Sequence, residues 1–370
     1  MEYNISMLLP FFKLRPVSGA AFSLARYKID ISFFKELNRI VVDFHQEHQM
    51  KLWHGFQLIA GDGSTVALPA SSTMKKHYGI HSQNKGVKKC MAQIFMLYDL
   101  NTNLVIASRM STMRNSERTL LSDCLIDFPD GNNIILLDRG FGHFITCKRF
   151  LDMKKDFCIR LKTATDFGRM VLSNPSNDFI AEWKPSKTER KTLKRHQHQK
   201  KSITVRVSKV RLKTGEIEVL ISSPKLFEIF TLLQMNELYK LRWGIEEGFK
   251  KLKPKMKLEQ FGSRKPEGIA QEFESHIFMM NMVALLGIAA QDEIEKKCVG
   301  RKLKYKYNWQ NAFRFVRHKI LQLINYKDIN KLVKNIVIKI SNSIVAIKPD
   351  RVFVRIRDTK HKPRLYQAYK

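Results

Sequence analysis

Asp62, Asp138 and Glu246 are carboxylates placed where metal-assisted phosphoryl chemistry could be built. Asp62 closes the apolar run from Phe56 to Gly61, and Asp138 closes Ile134-Ile135-Leu136-Leu137. Each is followed by a glycine within two residues. Strand ends in α/β sheets are where ligands bind. A carboxylate from each of two neighbouring strands, with a third from a helix alongside, could hold two divalent cations about 4 Å apart for in-line phosphoryl displacement. One cation would activate the attacking oxygen and the other would stabilise the leaving one. Taken singly, each aspartate reads equally as a helix N-cap or a turn residue. The three together, in a chain of formal charge +32, weaken that reading.

Glu246 is singled out by helical geometry. At about 100° per residue, positions 238–253 sort onto three faces. Leu238, Leu241, Ile245, Phe249 and Leu252 form an apolar stripe that should pack on a core. Lys240, Trp243, Glu247 and Lys251 point mostly away from it. Tyr239, Arg242, Glu246, Lys250 and Lys253 share a sector of about 80° at the edge of that stripe, where a cleft could open. A carboxylate there can bind a hard cation, while Arg and Lys hold phosphate oxygens. The plainer reading is a solvated face with an i,i+4 ion pair between Arg242 and Glu246.

The elements that must position these residues follow from the apolar periodicity. Helices are expected at 20–26 and 33–44, then a strand at 56–62 ended by Gly63-Ser64-Thr65. A long polar loop is expected over 71–89, followed by strands at 92–98 and 104–108 that suggest an antiparallel meander. Asn115-Ser116 starts a short helix to 126. The unbroken apolar run 134–137 suits a strand buried on both faces. A helix over 143–154 and a strand at 157–161 come next. Ile203, Val205 and Val207 alternate with polar residues, and after Thr214-Gly215 the run Ile217, Val219, Ile221 completes a hairpin with a bulge. A single helix is read from Leu226 to Lys253, a second from Glu267 to Lys297 and a third from Trp309 to Ile324. The basic run 187–201 and the basic tail 348–370 read as solvated segments or as DNA contacts.

Bulk composition narrows the partner. Hydrophobic residues at 44% describe a folded chain, whereas 66 Lys plus Arg against 34 Asp plus Glu describe one that attracts polyanions. Nucleic acid leads, with a ribosome-like structural role or an anionic membrane surface as the alternatives that charge alone leaves open. Five cysteines, none in Cys-x-x-Cys spacing, indicate neither a zinc site nor a disulfide framework and fit a reducing cytoplasm. No signal peptide is read. The most apolar segment, 277–290, is shorter than the ~20 residues that span a bilayer and reads as a buried helix.

The motif residues resemble the transposases of bacterial cut-and-paste elements, those classed as insertion sequence family four. The family's signature is Tyr, two residues, Arg, three residues, Glu, six residues, Lys, met here by Tyr239, Arg242, Glu246 and Lys253. Asp62-Gly63-Ser64-Thr65 with Leu68-Pro69, and Asp138-Arg139-Gly140-Phe141, are similar to its two aspartate motifs, in the same order. The resemblance covers roughly residues 20–370. It implies an α/β fold with an RNase H-like catalytic core, a β-rich insertion between the second Asp and the Glu, and helical terminal parts. It also implies Asp62, Asp138 and Glu246 as catalytic carboxylates binding Mg²⁺ or Mn²⁺. Tyr239, Arg242, Lys250 and Lys253 would be phosphate contacts on DNA, with Arg139 a further one.

The organisation expected is a helical region 1–50, the first part of the core at 51–164, the insertion at 165–225, the second part of the core at 226–300 and a basic helical region 301–370. The implied activity is metal-dependent cleavage at element ends, through a hairpin intermediate, and strand transfer into target DNA. The implied partners are double-stranded DNA and a second copy of the chain in the DNA-bound synapse, with no membrane. The expected location is the bacterial cytoplasm, at the nucleoid. Only 61 residues precede Asp62, fewer than in relatives, so a shortened copy or an upstream start is also expected. A copy of the same fold that binds DNA without transposing, and a metal nuclease that does not join strands, are the competing readings.

Overall fold

The segment read as ending at Asp62 continues well past it. In the computed structural model, which describes residues 18–48, 51–82, 88–195, 202–212, 214–320, 322–324 and 328–348, β1 runs Gln57–Ala67. The strands that follow are β2 (Ile80–Ser82), β3 (Lys88–Asp99), β4 (Val105–Thr112), β5 (Asn133–Leu137) and β6 (Asp156–Arg160). They are succeeded by β7 (Asp178–Trp183), β8 (Ile203–Arg211), β9 (Ile217–Ser222), β10 (Tyr305–Tyr307) and β11 (Ile344–Ala346). The helices are α1 (Gly19–Arg26), α2 (Ile31–His48), α3 (Ser72–Tyr78), α4 (Glu117–Cys124), α5 (Phe144–Asp152), α6 (Asp166–Ser173) and α7 (Lys187–Arg195). After them come α8 (Leu226–Ile229), α9 (Leu232–Leu241), α10 (Gly244–Lys250), α11 (Pro266–Lys297), α12 (Trp309–Lys319) and α13 (Ile329–Ser341). Residues 196–201 of the basic run and 349–370 of the tail lie outside the described residues.

The chain divides into two compact units, one of residues 1–49, 66–92 and 250–370, the other of residues 50–65 and 93–249. The second unit holds the mixed sheet, ordered β3-β1-β5-β6-β9-β8-β7, with β4 paired to β3. β1, β5 and β6 are parallel neighbours, whereas β6-β9, β9-β8 and β8-β7 are antiparallel. Both faces are covered. Leu58, Ile134, Leu136, Cys158 and Leu220 pack with Met235, Leu238 and Tyr239 on one side. On the other, Phe157 stacks on Phe150 of α5 at 5.6 Å between ring centroids. This double burial is why β5 shows four consecutive apolar residues rather than an alternation.

Several expectations are corrected. β1 does not stop at Gly63, because the ladder to β3 holds its backbone beyond the glycine: Leu100 N–H donates to Leu58 C=O near one end and Leu68 N–H to Cys90 C=O near the other. The loop expected over 71–89 contains α3 and β2. Ser71 caps α3 by accepting from Met74 N–H, and the buried i,i+4 pair Met74 and Tyr78 anchors it. The hairpin β8–β9 has no bulge, its register running unbroken from Arg206↔Ser222 to Arg211↔Ile217. β8 is also buried on both faces, and Arg206, one of the polar residues that alternate with Ile203, Val205 and Val207, is 0% exposed. Its guanidinium grips Asp178 through two bonds, Nε–Oδ1 at 2.9 Å and Nη2–Oδ2 at 2.6 Å, and donates to Leu226 C=O at the start of α8.

The helix expected from 226 to 253 is three helices. The break at Phe230–Thr231 is fixed by a capping box, Thr231 with Gln234. The second break lies at Arg242–Trp243, where the backbone tightens to i→i−3 bonds: Arg242 N–H to Tyr239 C=O, Ile245 N–H to Arg242 C=O and Glu246 N–H to Trp243 C=O.

In the first unit α11 is the central element, packed by α2, α12, α13 and β10. Arg26 ties α1 to it through Gln271, Gly268 C=O and Glu272. With 32 residues, α11 is longer than the apolar stretch read from the sequence. By length and composition it could cross a bilayer, but 61% of its most apolar window is buried inside the chain.

Candidate active site

Asp62 and Asp138 are brought side by side by strand register. The last paired positions of β1 and β5 are Gly61 and Leu137. In parallel strands the next residue on each is therefore a neighbour of the other, and both follow residues of the face that carries Leu58 and Leu136. Each carboxylate accepts one local N–H, Asp62 Oδ1 from Gly63 at 2.8 Å and Asp138 Oδ1 from Gly140 at 2.8 Å. The turn role that competed for Asp138 is thus present, but it occupies one oxygen only. Among the described residues neither aspartate has a Lys or Arg within ion-pair distance.

The electrostatics follow from that isolation. Burial pushes the Asp62 carboxyl from its ordinary 3.8 up to about 6; the negative charges of Asp138 and Glu117 add to the rise, and Gly63 N–H and the Arg242 charge oppose it. Two carboxylates held together half out of water fit a hard dication, the chemistry that would relieve their repulsion.

The raised value carries a stability penalty. In the unfolded chain Asp62 ionises near 3.8 and in the folded chain near 6, so the folded state loses stability as pH rises from about 4 through 6. The rise corresponds to about 3 kcal/mol at full effect, reduced to about 1–2 kcal/mol for a group partly in solvent. In EDTA, Asp62→Asn is therefore expected to stabilise the chain by about 1–2 kcal/mol at pH 8, measured by urea denaturation. The gain should vanish below pH 4, and a less stable variant at pH 8 would contradict the assignment.

Arg242 stands on the same face as a buried cation. It is 7% exposed, its guanidinium stacks 4.9 Å from the Trp243 ring centroid and 5.7 Å from that of Tyr239, and its Nε has no hydrogen-bond partner. Among the described residues the i,i+4 pair with Glu246 is not made, since no hydrogen bond or ion pair joins the two. A buried, unpaired guanidinium is costly to maintain without an anion.

The three-face sorting of 238–253 is altered by the tightened turn. A 3₁₀ turn advances about 120° per residue against about 100°, so residues beyond Arg242 are rotated relative to those before it. Leu241 leaves the apolar stripe at 40% exposed, and Tyr239 lies in the core at 4%. Burial pushes the Tyr239 hydroxyl well above its ordinary range. Glu246 is half-buried whereas Glu247 is exposed. The turn seats α10 closely on the sheet: a Cβ on Gly244 would lie 2.8 Å from Leu100 Cδ2, and one on Gly248 3.2 Å from the Tyr98 ring. The Gly-x-x-x-Gly spacing was a readable signal for that close approach.

The structure does not gather all the expected residues. Among the described residues no group of three or more His, Cys, Asp or Glu side chains is close enough to hold a metal, so Glu246 is not clustered with the aspartates. Arg139 is exposed beside Asp138. Lys250 and Lys253 belong to the first unit, Lys253 within a π turn over Lys251–Lys255. Sequence reasoning missed Glu117, the first residue of α4, whose carboxylate lies against Gly63.

Comparison with known proteins gives a consistent relationship. Residues 53–282, more than half of the chain, match the family model for the transposase DDE domain. The chain is 24% identical over 237 residues to the transposase InsG for insertion sequence element IS4 of Escherichia coli (strain K12), covering 62% of this chain and 52% of that protein. It therefore spans about half the length of the curated relative it matches. Among solved structures, a piggyBac transposase synaptic complex with hairpin DNA is similar at a TM-score of 0.45 and 12% identity, over 83% of this chain and 60% of that one. The chain belongs to the transposase DDE-domain family.

Proposed function

We propose that the chain is a DNA transposase that cleaves its element's ends and transfers them to target DNA, using Asp62, Asp138 and Glu246 as its catalytic carboxylates. The observation that carries this reading is the aspartate pair, adjacent by register and, among the described residues, without a Lys or Arg at ion-pair distance in a chain of charge +32. With 66 Lys and Arg available, an acidic pair left unneutralised is a place kept for another cation. The sheet supports an RNase H-like core: β1, β5 and β6 form a parallel trio, β3 flanks β1 with β4 paired to it, and the 165–225 segment adds β7, β8 and β9 beyond β6.

Asp62 and Asp138 would hold Mg²⁺ or Mn²⁺, with Glu246 as the third carboxylate in the DNA-bound state. Such cations, when bound, supply Lewis acidity at the phosphoryl group and ready oxygen nucleophiles at neutral pH. Arg242 is aligned by Tyr239 and Trp243 and presents its unpaired guanidinium to a DNA phosphate. Arg139, Lys250 and Lys253 are proposed as further phosphate contacts. A pair of chains would synapse two element ends, with a hairpin intermediate on the way to excision.

Incubation with DNA carrying the element's terminal inverted repeats tests this function. Nicks at the element boundary are expected in Mg²⁺ and not in EDTA. Tight binding of the same DNA without nicking in either Mg²⁺ or Mn²⁺ would instead make the chain a DNA-binding copy of the fold.

A further inference from the structure

The basic helix α7 and the cavity beside it take no part in the reading above. The cavity, of about 400 Å³, lies between α4, α5 and α7 and is lined by Arg118, Ser122, Thr146, Arg149, Thr188 and Thr192, among others. Phe150 also lines it, and stacks on Phe157 of β6. Phe157 and Cys158 are successive residues of one strand and so point to opposite faces of the sheet, and Cys158 packs with Leu58 and Leu136. The cavity therefore lies on the face away from Asp62 and Asp138.

Glu189 is the acidic residue of the wall, and local donors occupy both its oxygens. Ser186 and Glu189 start α7 as a capping box: Glu189 N–H donates to Ser186 Oγ at 3.3 Å, and Ser186 N–H to Glu189 Oε2 at 2.9 Å. Glu189 Oε1 accepts from Phe144 N–H at 3.1 Å, which clamps α7 to the start of α5. The cations are not occupied in this way. Arg149 donates to Ser122 Oγ, Arg118 makes no hydrogen bond, and among the described residues neither forms an ion pair. Lys162, Lys187 and Lys191 are likewise exposed and without ion pairs among the described residues.

The wall feels this excess of positive charge. Burial holds the His143 imidazole below its ordinary range, and the charges of Arg118 and Lys162 lower it further, ahead of the opposing charge of Glu189. His143 Nε2 is buried in the wall with no hydrogen-bond partner. Guanidinium donors and hydroxyls around a positive hollow fit phosphate oxygens. The cations are spread over three helices, which suits the row of phosphates along a duplex better than one free phosphate.

We propose that the cavity between α4, α5 and α7 seats a backbone phosphate of duplex DNA, with Arg118 and Arg149 as its donors. This rests on the reading of the chain as acting on DNA. It adds an anchoring contact on the far side of the sheet from the bond that is cut, and one indifferent to base sequence.

Fluorescence anisotropy with the full chain and a short duplex lacking the element's ends, over a series of salt concentrations, tests it. Arg118→Gln with Arg149→Gln should weaken binding about 10-fold near 0.1 M salt and lower the slope of log affinity against log salt by about 1–2. Lys334→Gln with Lys339→Gln, which removes two exposed charges from α13, should change both quantities much less. All four side chains are exposed, so urea midpoints should stay near that of wild type. Equal losses in the two pairs, or no loss in the arginine pair, overturn the site and leave the nicking reading standing. Saturable binding of inorganic phosphate at constant ionic strength, abolished in the arginine pair without loss of DNA affinity, would make the cavity a small-anion site and overturn the DNA contact. No DNA binding by wild type overturns both readings.

Discussion

Asp138→Asn and Glu246→Gln are each expected to lower Mg²⁺-dependent nicking at element ends by about 10³-fold or more, with DNA affinity held within a few-fold. Removing a cation's carboxylate forfeits several kcal/mol of charge stabilisation in the transition state, and each 1.36 kcal/mol is about tenfold in rate. Binding should survive because a net charge of +32 spreads the phosphate contacts over the surface. The informative control is Glu247→Gln. Glu247 is the exposed neighbour of half-buried Glu246, about 100° away around the helix, so its loss should change nicking less than about threefold. Single-turnover nicking on end DNA reads all three variants. Loss of activity in Glu247→Gln, with retention in Glu246→Gln, would reassign the third carboxylate.

Arg206→Met should be the most destabilising of the conservative replacements, by about 3 kcal/mol or more. It leaves Asp178 without its bidentate partner and Leu226 C=O with only the Phe230 N–H as donor, and it removes the guanidinium from its place 5.2 Å from the Phe227 ring centroid. Arg206 joins the outer hairpin to the first turn of α8, from which the chain proceeds to α9 and α10. Breaking it should therefore loosen the helices that carry Arg242 and Glu246. The double variant Arg206→Met with Asp178→Leu should recover much of the loss, because a buried pair replaced as a unit leaves no stranded charge. Urea denaturation of the three chains decides the matter; a cost below about 1 kcal/mol for the single variant would mean that the pair contributes little.

What the sequence revealed depended on whether the signal was local. β5 was legible because four consecutive apolar residues record burial on both faces, and α4 because Ser116 is a strong cap. Asp62 and Asp138 were legible as residues but misread as strand ends in one case, since the continuation of β1 past Gly63 depends on its long-range partner β3. Arg206 was invisible as a core residue because its partner Asp178 is 28 positions away, on another strand. The 226–253 helix was over-extended although both breaks had local marks, Thr231 with Gln234 and Gly244 with Gly248. Those breaks matter for the site. A uniform helix would place Tyr239 and Glu246 on one open face, whereas the tightened turn buries Tyr239, turns Arg242 into a ring-stacked cation and leaves Glu246 half-buried. Glu117 was read only as a helix start, because nothing in its neighbourhood along the chain reports the approach to Gly63.

The central claim is that Asp62, Asp138 and Glu246 hold the same divalent cations when DNA is bound. Fe²⁺ substituted for Mg²⁺ in the DNA-bound chain, with ascorbate and peroxide, generates hydroxyl radicals that cut the polypeptide beside the bound ion. Mapping those cuts is the most direct measurement. The account predicts cleavage in three stretches, around positions 62, 138 and 246, suppressed by excess Mg²⁺ and lost in Asp138→Asn. Cuts at 62 and 138 with none near 246, or cuts confined to other parts of the chain, would contradict it.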